Sequence, residues 1–491
     1  MPEHAPRCAV TWRDRSKLSF LRGRRAAAND GRRAAANDGR RAAANDGRRA
    51  AANDGRRAAA VLIEESRSQP TRSLGPQVHR AWPFGPADRE NTVWIVVGLA
   101  LGPAVVLGLG RFAYALLLPP MRAELHWSLT TAGAVNSANA LGYLAGALGT
   151  AALARRYGAR RSFLAGFGVT VVSLLATAAS GDTVVLLGLR TLAGVSGAVT
   201  FIAGAGLVAQ VATGTTAHRA AMLLGIYFAG GGAGIVISGL SVPAVLAATA
   251  SSTGWQWGWV LLGGLGAVAL VPAWLAARAS HEPPPPPHHD RRWPARHFVA
   301  LFVSYGLFGA GYIAYMTFVV AFLRDGAAGT GEITAFWVVL GTASILGNFC
   351  WARPIGRFRG GRGASMVLAA IAAGAILPLV SRSAPVAMAS AVLFGGSFLA
   401  VVTSVTAVAR RSLAAHHWTP AIAALTVAFA VGQCVGPVLT GVLSEGPAGL
   451  RIGLGVSAGL LVAAALTMLG QRNLVAHPET TVTPADMWVA D

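Results

Sequence analysis

Residues Gly108–Tyr114 read GLGRFAY, and residues Gly309–Tyr315 read GAGYIAY. Each copy lies inside an apolar run of about 20 or more residues, which is long enough to cross a bilayer as a helix. The match therefore relates two membrane helices in different halves of the chain. In the first copy one position is a charge, Arg111. Because an arginine facing hydrocarbon costs at least ~2.5 kcal/mol, Arg111 is predicted to face a polar interior.

The composition is that of a polytopic membrane protein. Hydrophobic residues make up 54% of the chain and charged residues only 12%, which excludes an ordinary soluble domain. The net charge of +21 is spread over an N-terminal segment and the short loops between apolar runs, so no nucleic-acid partner is expected. The three cysteines, Cys8, Cys350 and Cys434, are too scattered for a disulfide framework or a zinc site. We expect no metal and no cofactor.

Six apolar runs precede a proline-rich segment and six follow it. This pattern predicts an all-α membrane protein with twelve transmembrane helices in two pseudo-symmetric six-helix bundles. The predicted spans are residues 93–118, 128–153, 162–180, 183–209, 220–246, 256–277, 298–323, 333–352, 364–381, 385–409, 420–443 and 451–470.

The regions outside the spans complete the predicted organisation. It comprises a basic, disordered tail at 1–90, an N-terminal bundle at 91–277, a Pro-rich linker at 278–297, a C-terminal bundle at 298–470 and a tail at 471–491. The first tail repeats RRAAANDG four times from Arg24, a unit with too little apolar surface to bury a core. We interpret these repeats as an expanded DNA repeat or an upstream start site rather than as a basic arm for anionic lipid.

Loop arginines predict the orientation. One set of loops carries Arg155, Arg156, Arg160, Arg161, Arg219, Arg353, Arg357, Arg359, Arg362, Arg410 and Arg411. The opposite loops carry Arg122, Arg324, Arg382 and Arg451. The positive-inside rule then places both termini and the linker in the cytoplasm. The expected location is the bacterial inner membrane, crossed many times, with the lipid bilayer as partner.

Two parallel six-helix halves joined by a long linker resemble the major facilitator superfamily. The loop RRYGARR, residues 155–161, resembles the signature loop of that superfamily, with Arg155 where its usual aspartate stands. The resemblance implies a cytoplasmic gating role for Arg155, Arg156, Gly158, Arg160 and Arg161. The missing aspartate puts the family's charge relay in doubt.

Three further stretches carry the resemblance. Arg190 with Gly194 and Gly197 resembles the RxxxG motif, and GQCVGPVLTG at 432–441 resembles the glycine-proline motif of antiporters. The stretch GLGRFAYALLLPPM at 108–121 is similar to the first helix of YbfB/YjiJ-type bacterial transporters. The resemblance implies a transport function.

Polar and aromatic residues inside the spans are the candidate ligands. The guanidinium of Arg111 forms a fork suited to carboxylate or phosphate, while bracing of helix carbonyls is the alternative. Stripes at three- and four-residue spacing share one face on the second and seventh spans. The candidate substrate-binding residues are Arg111, Tyr114, Asn136, Asn139, Tyr143, Arg190, Tyr305, Tyr312 and Tyr315. Gln433 is interpreted as a packing residue.

The predicted function is secondary active or facilitative transport of a small solute, anionic if Arg111 binds it, by alternating access in a monomer. Each Asp and Glu of the membrane region lies near a predicted span end, and no ATP-binding or enzymatic motif is found in the sequence. Two alternatives stay open. One is a proton-driven drug or metabolite efflux antiporter, and the other is a non-transporting membrane sensor on a transporter fold.

Overall fold

The computed structural model describes residues 89–249, 253–282, 295–358, 360–413, 417–446 and 449–471. The predicted tail with its repeats, the proline run of the linker and residues 472–491 lie outside the described residues. The first helix, α1, consists of an α-helix Arg89–Pro103, a π-helix Ala104–Phe112 and an α-helix Tyr114–Glu124. These three segments form one continuous span.

Eleven further helices follow α1 in the described residues. They are α2 Leu129–Tyr157, α3 Ala159–Thr177, α4 Thr183–Val211, α5 Ala217–Thr249, α6 Gly254–Ala279, α7 Val299–Asp325, α8 Thr330–Arg357, α9 Arg362–Val380, α10 Ala384–Ser412, α11 Trp418–Ser444 and α12 Leu450–Leu469. A short 3₁₀ helix, Ala295–Phe298, precedes α7. The described residues contain no strand, and the all-α prediction is confirmed.

Several helices are longer than the predicted spans. Helix α1 continues past the predicted end at residue 118 to Glu124, and α8 continues past 352 to Arg357. Apolarity marks only the part of a helix inside the hydrocarbon, whereas hydrogen bonding carries the helix on into the polar interface. The sequence therefore locates the spans but underestimates their helical length.

Eleven of the twelve described helices are long and apolar enough to cross a membrane. The exception is α2, which has 29 residues but carries Asn136, Ser137 and Asn139 in its middle. All three side chains are buried in protein. Helix α2 packs between α4 of its own half and α11 of the other half. Because its polar groups face neighbouring helices rather than lipid, a less apolar helix is stable there.

Glycines let α5 approach α1, and α11 approach α7, in the same way. A Cβ atom at Gly234 would overlap the carbonyl oxygen of Ala104. In the second half, a Cβ atom at Gly436 would overlap the carbonyl oxygen of Ala310. Such close backbone contact gives van der Waals packing where lipid provides no hydrophobic drive between helices. The two halves thus repeat one packing solution.

The halves contact each other through two equivalent helix pairs, α2 with α11 and α5 with α8. On the first pair, a Cβ atom at Gly133 would overlap the backbone of Pro437. On the second pair, the Trp337 indole donates a hydrogen bond to Ser238 Oγ at 3.2 Å. These pairs hold the first six helices against the last six.

The close contact at Gly436 predicts a steep cost for a single methyl group. Gly436→Ala should destabilise the protein by about 1–3 kcal/mol, because overpacking against the fixed Ala310 backbone forces a helix to shift. The matched control is Gly455→Ala on α12, where nothing lies within 4 Å of the added Cβ. Thermal unfolding in detergent measures both variants. Equal Tm values for the two would contradict the packing described.

Candidate substrate-binding site

Arg111 lies in the π-helical segment of α1. There the backbone N–H of Ala113 donates to the Gly108 carbonyl, five residues back, at 3.0 Å. Gly108 itself is packed against the backbone of Gly234 on α5. Only 4% of Arg111 is exposed. The sequence therefore places a charged side chain inside the bundle on a segment whose hydrogen-bond register differs from that of an α-helix, a feature frequent at functional sites.

The Arg111 cluster consists of Arg111, Tyr143, Tyr312 and Gln433. Arg111 Nη2 donates to Gln433 Oε1 at 2.5 Å, and Gln433 Nε2 donates to the Tyr312 hydroxyl at 2.9 Å. The guanidinium carbon of Arg111 lies 5.3 Å from the ring centroid of Tyr143, within range of a cation–π interaction. Arg111 Nε is buried and has no hydrogen-bond partner. The cluster joins α1 and α2 of one half to α7 and α11 of the other.

An aromatic wall of near-parallel rings extends from Tyr312. It consists of Tyr305, Phe308, Tyr312, Phe398 and Phe429. The Tyr312 ring lies 5.0 Å from Phe308, 5.6 Å from Phe429 and 6.2 Å from Phe398, with interplanar angles of 20°, 8° and 9°. Phe429 is only partly buried. The other four rings are buried, so Phe429 provides the accessible apolar surface of the wall, next to the Arg111 cluster.

A second group of polar residues surrounds Arg190 inside the first half. Arg190 Nη1 donates to the Gly110 carbonyl at 2.6 Å, and Asn139 Nδ2 donates to the Arg190 carbonyl at 3.0 Å. The Arg190 guanidinium lies 5.2 Å from the Tyr114 ring centroid and 5.3 Å from that of Trp259. The backbone register changes where a π-helix returns to an α-helix, and carbonyls there are open to other donors. Arg190 therefore braces the segment that carries Arg111.

The remaining candidate residues make separate contacts. Asn136 Nδ2 donates to Thr317 Oγ1 at 2.5 Å and so links α2 to α7, while its Oδ1 is buried without a partner. The Tyr315 hydroxyl is hydrogen-bonded to Ser390 Oγ at 2.6 Å, within the second half. The Tyr114 hydroxyl donates to the Ala132 carbonyl at 2.8 Å. Of the predicted residues, the structure thus brings Arg111, Tyr143 and Tyr312 together most directly.

The loop between α2 and α3 receives a carboxylate from elsewhere in the chain. Glu282, just after α6, accepts hydrogen bonds from the backbone N–H groups of Ala159 and Arg160 at the N-terminus of α3. Arg160 Nη2 donates to the Ser280 carbonyl at 2.5 Å. Gly158 adopts a φ of 87°, which favours glycine. Glu282 thus supplies a carboxylate to a loop whose own sequence, residues 155–161, contains none, and a carboxylate at a helix N-terminus also suits the helix dipole.

Arg155, Arg156 and Arg161, the other predicted gating residues, are exposed at the same end of the bundle. We call this end the arginine-rich end and the opposite one the Glu445 end. At the Glu445 end the halves are hydrogen-bonded to each other, since the Thr130 N–H of α2 donates to Glu445 Oε1 beyond α11 at 3.1 Å. Hydrogen bonds from the side chain and backbone of Thr130 hold the pKa of Glu445 below its ordinary value.

Two six-helix halves with a buried polar cluster at their contact define a membrane transporter of the major facilitator type. Residues 103–469 match the family described as "Uncharacterised MFS-type transporter YbfB". The chain belongs to this family. The prediction of a transporter is confirmed, and because the family and its structural neighbours are transporters, the protein is not an enzyme.

Relatives agree with this assignment. A chloramphenicol resistance protein of Streptomyces lividans is 28% identical over 405 residues, which covers 77% of this chain and 96% of that protein. Among solved structures, an inward-facing, unoccupied bacterial homolog of the human lysosomal transporter Spinster has a TM-score of 0.61 at 16% identity, covering 79% of this chain and 98% of that one. The nucleoside transporter NupG has a TM-score of 0.60 at 13% identity, covering 76% and 99%.

Gln433 is the residue whose position the sequence interpretation missed. The sequence favours a packing role for Gln433, whereas the structure shows that its buried side chain is hydrogen-bonded to both Arg111 and Tyr312. Two signals point to it. An amide in the middle of a membrane helix needs polar partners, and the glycine repeat that pairs Gly230 with Gly432 aligns Gln433 with Gly231. Like Arg111 against Tyr312, Gln433 is a polar mismatch between the halves.

The lowered pKa of Glu445 predicts that the hydrogen bond at the Glu445 end weakens in acid. Its ionised form binds the Thr130 N–H, so the contribution is present above the ordinary pKa of 4.5 and is lost as pH falls through the lowered pKa. Spin labels on His126→Cys and Gly446→Cys, in a background without other cysteines, should show longer distances at low pH. Glu445→Gln should abolish this pH dependence.

The matched control for this measurement is Glu332→Gln, at the first turn of α8. The pH-dependent change in distance should persist in that variant. A wild-type distance that is the same above and below the ordinary pKa would show that the Glu445 hydrogen bond does not hold this end together.

Proposed function

We propose that this protein is a secondary active or facilitative transporter that moves a small anionic solute across the bacterial inner membrane by alternating access. The solute binds near mid-membrane between the halves, with Arg111 as its electrostatic anchor. Tyr143 and Tyr312 flank the bound group. The protein acts as a monomer, and exchange of one anion for another is the simplest form of coupling for a site built on an arginine.

The observation that carries this proposal is the lack of charge compensation around Arg111. Its described hydrogen bond goes to an uncharged amide, and no Asp or Glu of the described residues forms a hydrogen bond with it. Burying an ion without a counter-ion costs several kcal/mol even after relaxation. A permanent guanidinium is retained at such a cost where an anion arrives to offset it. A carboxylate or phosphate supplies the matching geometry.

Partial exposure supports access from the arginine-rich end. Phe429 of the aromatic wall lies one turn closer to that end than Gln433, and both Phe429 and Tyr143 are partly exposed. At the other end, Glu445 and Thr130 join the halves. The excess of loop arginines favours the cytoplasm as the side that the arginine-rich end faces. The conformation described is then one that admits solute from the cytoplasm.

Removal of the anchor charge tests the proposal. Purified wild-type protein is screened by thermal shift against carboxylates, phosphates, amino acids and cationic drugs, because a ligand that binds the folded state raises Tm. We expect a stabilising anion, and we expect Arg111→Ala to remove that stabilisation and transport in proteoliposomes. Arg122→Ala, an exposed arginine at the Glu445 end, is the control. If no anion raises the Tm of the wild-type protein, the proposal is contradicted.

Drug efflux is a second candidate, favoured by the chloramphenicol resistance relative. Expression of this protein in a sensitive bacterium should then raise the chloramphenicol concentration that stops growth, and dissipation of the proton gradient should cancel the gain. Chloramphenicol carries no ionised group, so Arg111→Ala should leave that resistance largely intact. If expression of the wild-type protein leaves resistance unchanged, drug efflux is removed as a candidate. If the wild type confers resistance and Arg111→Ala does not, both activities belong to one site.

A further inference from the structure

Gln433 holds Arg111 in the way that a carboxylate ligand would. A guanidinium has no acceptor atom, so the amide oxygen of Gln433 must face Arg111 and its NH₂ group must face Tyr312. A carboxamide has the planar shape of a carboxylate without its charge. The amide oxygen therefore stands where one oxygen of an anionic ligand binds.

The guanidinium edge that faces Gln433 is only half satisfied. Nη2 donates to the amide oxygen, whereas the neighbouring Nε is buried with no partner. These two N–H groups form the edge that a carboxylate grips with both oxygens. The amide oxygen accepts from Nη2 alone, and the amide NH₂ group, a donor, cannot accept from Nε. A carboxylate that replaced it would gain a second hydrogen bond and cancel a buried charge.

The Arg111 cluster contains one arginine, and this sets the charge of the ligand. Arg190 also has a buried Nε and Nη2 without partners, but it lies in the separate group inside the first half. The Arg190 guanidinium donates to the Gly110 carbonyl and lies within 5.3 Å of the ring centroids of Tyr114 and Trp259. It supports α1 from within the first half. A ligand with a second carboxylate would bring a charge for which the Arg111 cluster has no cation, at a cost of several kcal/mol. The geometry favours a monoanion.

Aromatic rings lie next to the carboxylate position, and Phe429 is the ring of the wall that is partly exposed. Tyr312, which anchors the Gln433 amide, is itself part of the aromatic wall and lies near-parallel to Phe429 at 5.6 Å. Phe398 continues this surface and meets Phe112 edge-on at 5.8 Å. Offset stacking between planar groups adds about 0.5–1.5 kcal/mol beyond burial. A ligand body that is planar and apolar matches this surface.

We propose that the solute is a monocarboxylate with a planar apolar body, and that its carboxylate displaces the Gln433 amide oxygen from Arg111. This rests on the anion transport proposed above and specifies its substrate class. Because Arg111 belongs to α1 and Gln433 to α11, the exchange breaks a hydrogen bond between the halves. Binding of the solute is thereby coupled to release of the contact that links them.

Four small probes test the substrate class on the purified full-length protein. Benzoate carries the planar ring and one carboxylate, benzamide lacks the charge, acetate lacks the ring and phthalate adds a second carboxylate. We expect calorimetry to show benzoate binding at least about tenfold more tightly than each of the others, a difference of about 1.4 kcal/mol. Equal binding of acetate and benzoate, lost in Arg111→Ala, would overturn the planar-body class while anion transport stands.

Variants of Gln433 test the displacement. Gln433→Met removes the competing oxygen at similar volume, so benzoate should bind several-fold more tightly. Gln433→Glu places a fixed carboxylate on Arg111 and should weaken benzoate binding at least about tenfold. Gln210→Met and Gln210→Glu, on a partly exposed position of α4, are matched controls that should bind benzoate as wild type does.

The direction of the change in Gln433→Met is decisive. Weaker benzoate binding would mean that the amide contacts the ligand, and unchanged binding would mean that it does not compete; either result overturns the displacement. If Gln433→Met does not fold, Tyr312→Phe replaces it, because loss of the hydroxyl frees the amide from its anchor. Benzoate should again bind more tightly, and weaker or unchanged binding would again overturn the inference.

Discussion

The burial of the Arg111 guanidinium in a bundle without a facing carboxylate is the constraint on which the centre of the molecule depends. The N–H groups of the guanidinium require acceptors, and its charge requires polarisable neighbours. The structure provides the Gln433 amide, which is in turn hydrogen-bonded to Tyr312, and the ring face of Tyr143, so both halves contribute. Each partner is neutral. The centre is therefore held together by interactions that an arriving anion outcompetes, which suits a protein that must exchange one set of contacts for another.

Close backbone packing makes this arrangement possible. Glycines bring α5 onto α1 and α11 onto α7, and so fix the depth and direction at which Arg111 and Gln433 enter the interface. The same helices also form the contacts between halves, α5 with α8 and α11 with α2. Rigid halves that meet along smooth, small-residue surfaces can move against each other without unpacking their own cores.

The sequence predicted the twelve-helix class, the two related halves and the burial of the Arg111 charge in the bundle. These features were predictable because the bilayer dictates the length of apolar runs and favours small residues where helices pack. It did not predict the partner of Arg111. Gln433 is distant in sequence, and only the tertiary packing of α11 against α1 brings its amide to the guanidinium. Glu282 was missed for the same reason: no local pattern shows that a residue beyond α6 reaches the start of α3.

The π-helical segment Ala104–Phe112 has a geometric consequence for everything beyond it. An α-helix turns by about 100° per residue, and a π-helix, with its i→i+5 bonds, turns by less. This difference in turn per residue accumulates over the segment. The side chains of Tyr114–Glu124 therefore point in directions rotated about the helix axis from those that an uninterrupted α-helix continuing Arg89–Pro103 would give them. The winding of the π-helical segment thus sets the direction, about the axis of α1, in which side chains point. It determines whether the charge of Arg111 is aimed at the partner half or out into the lipid.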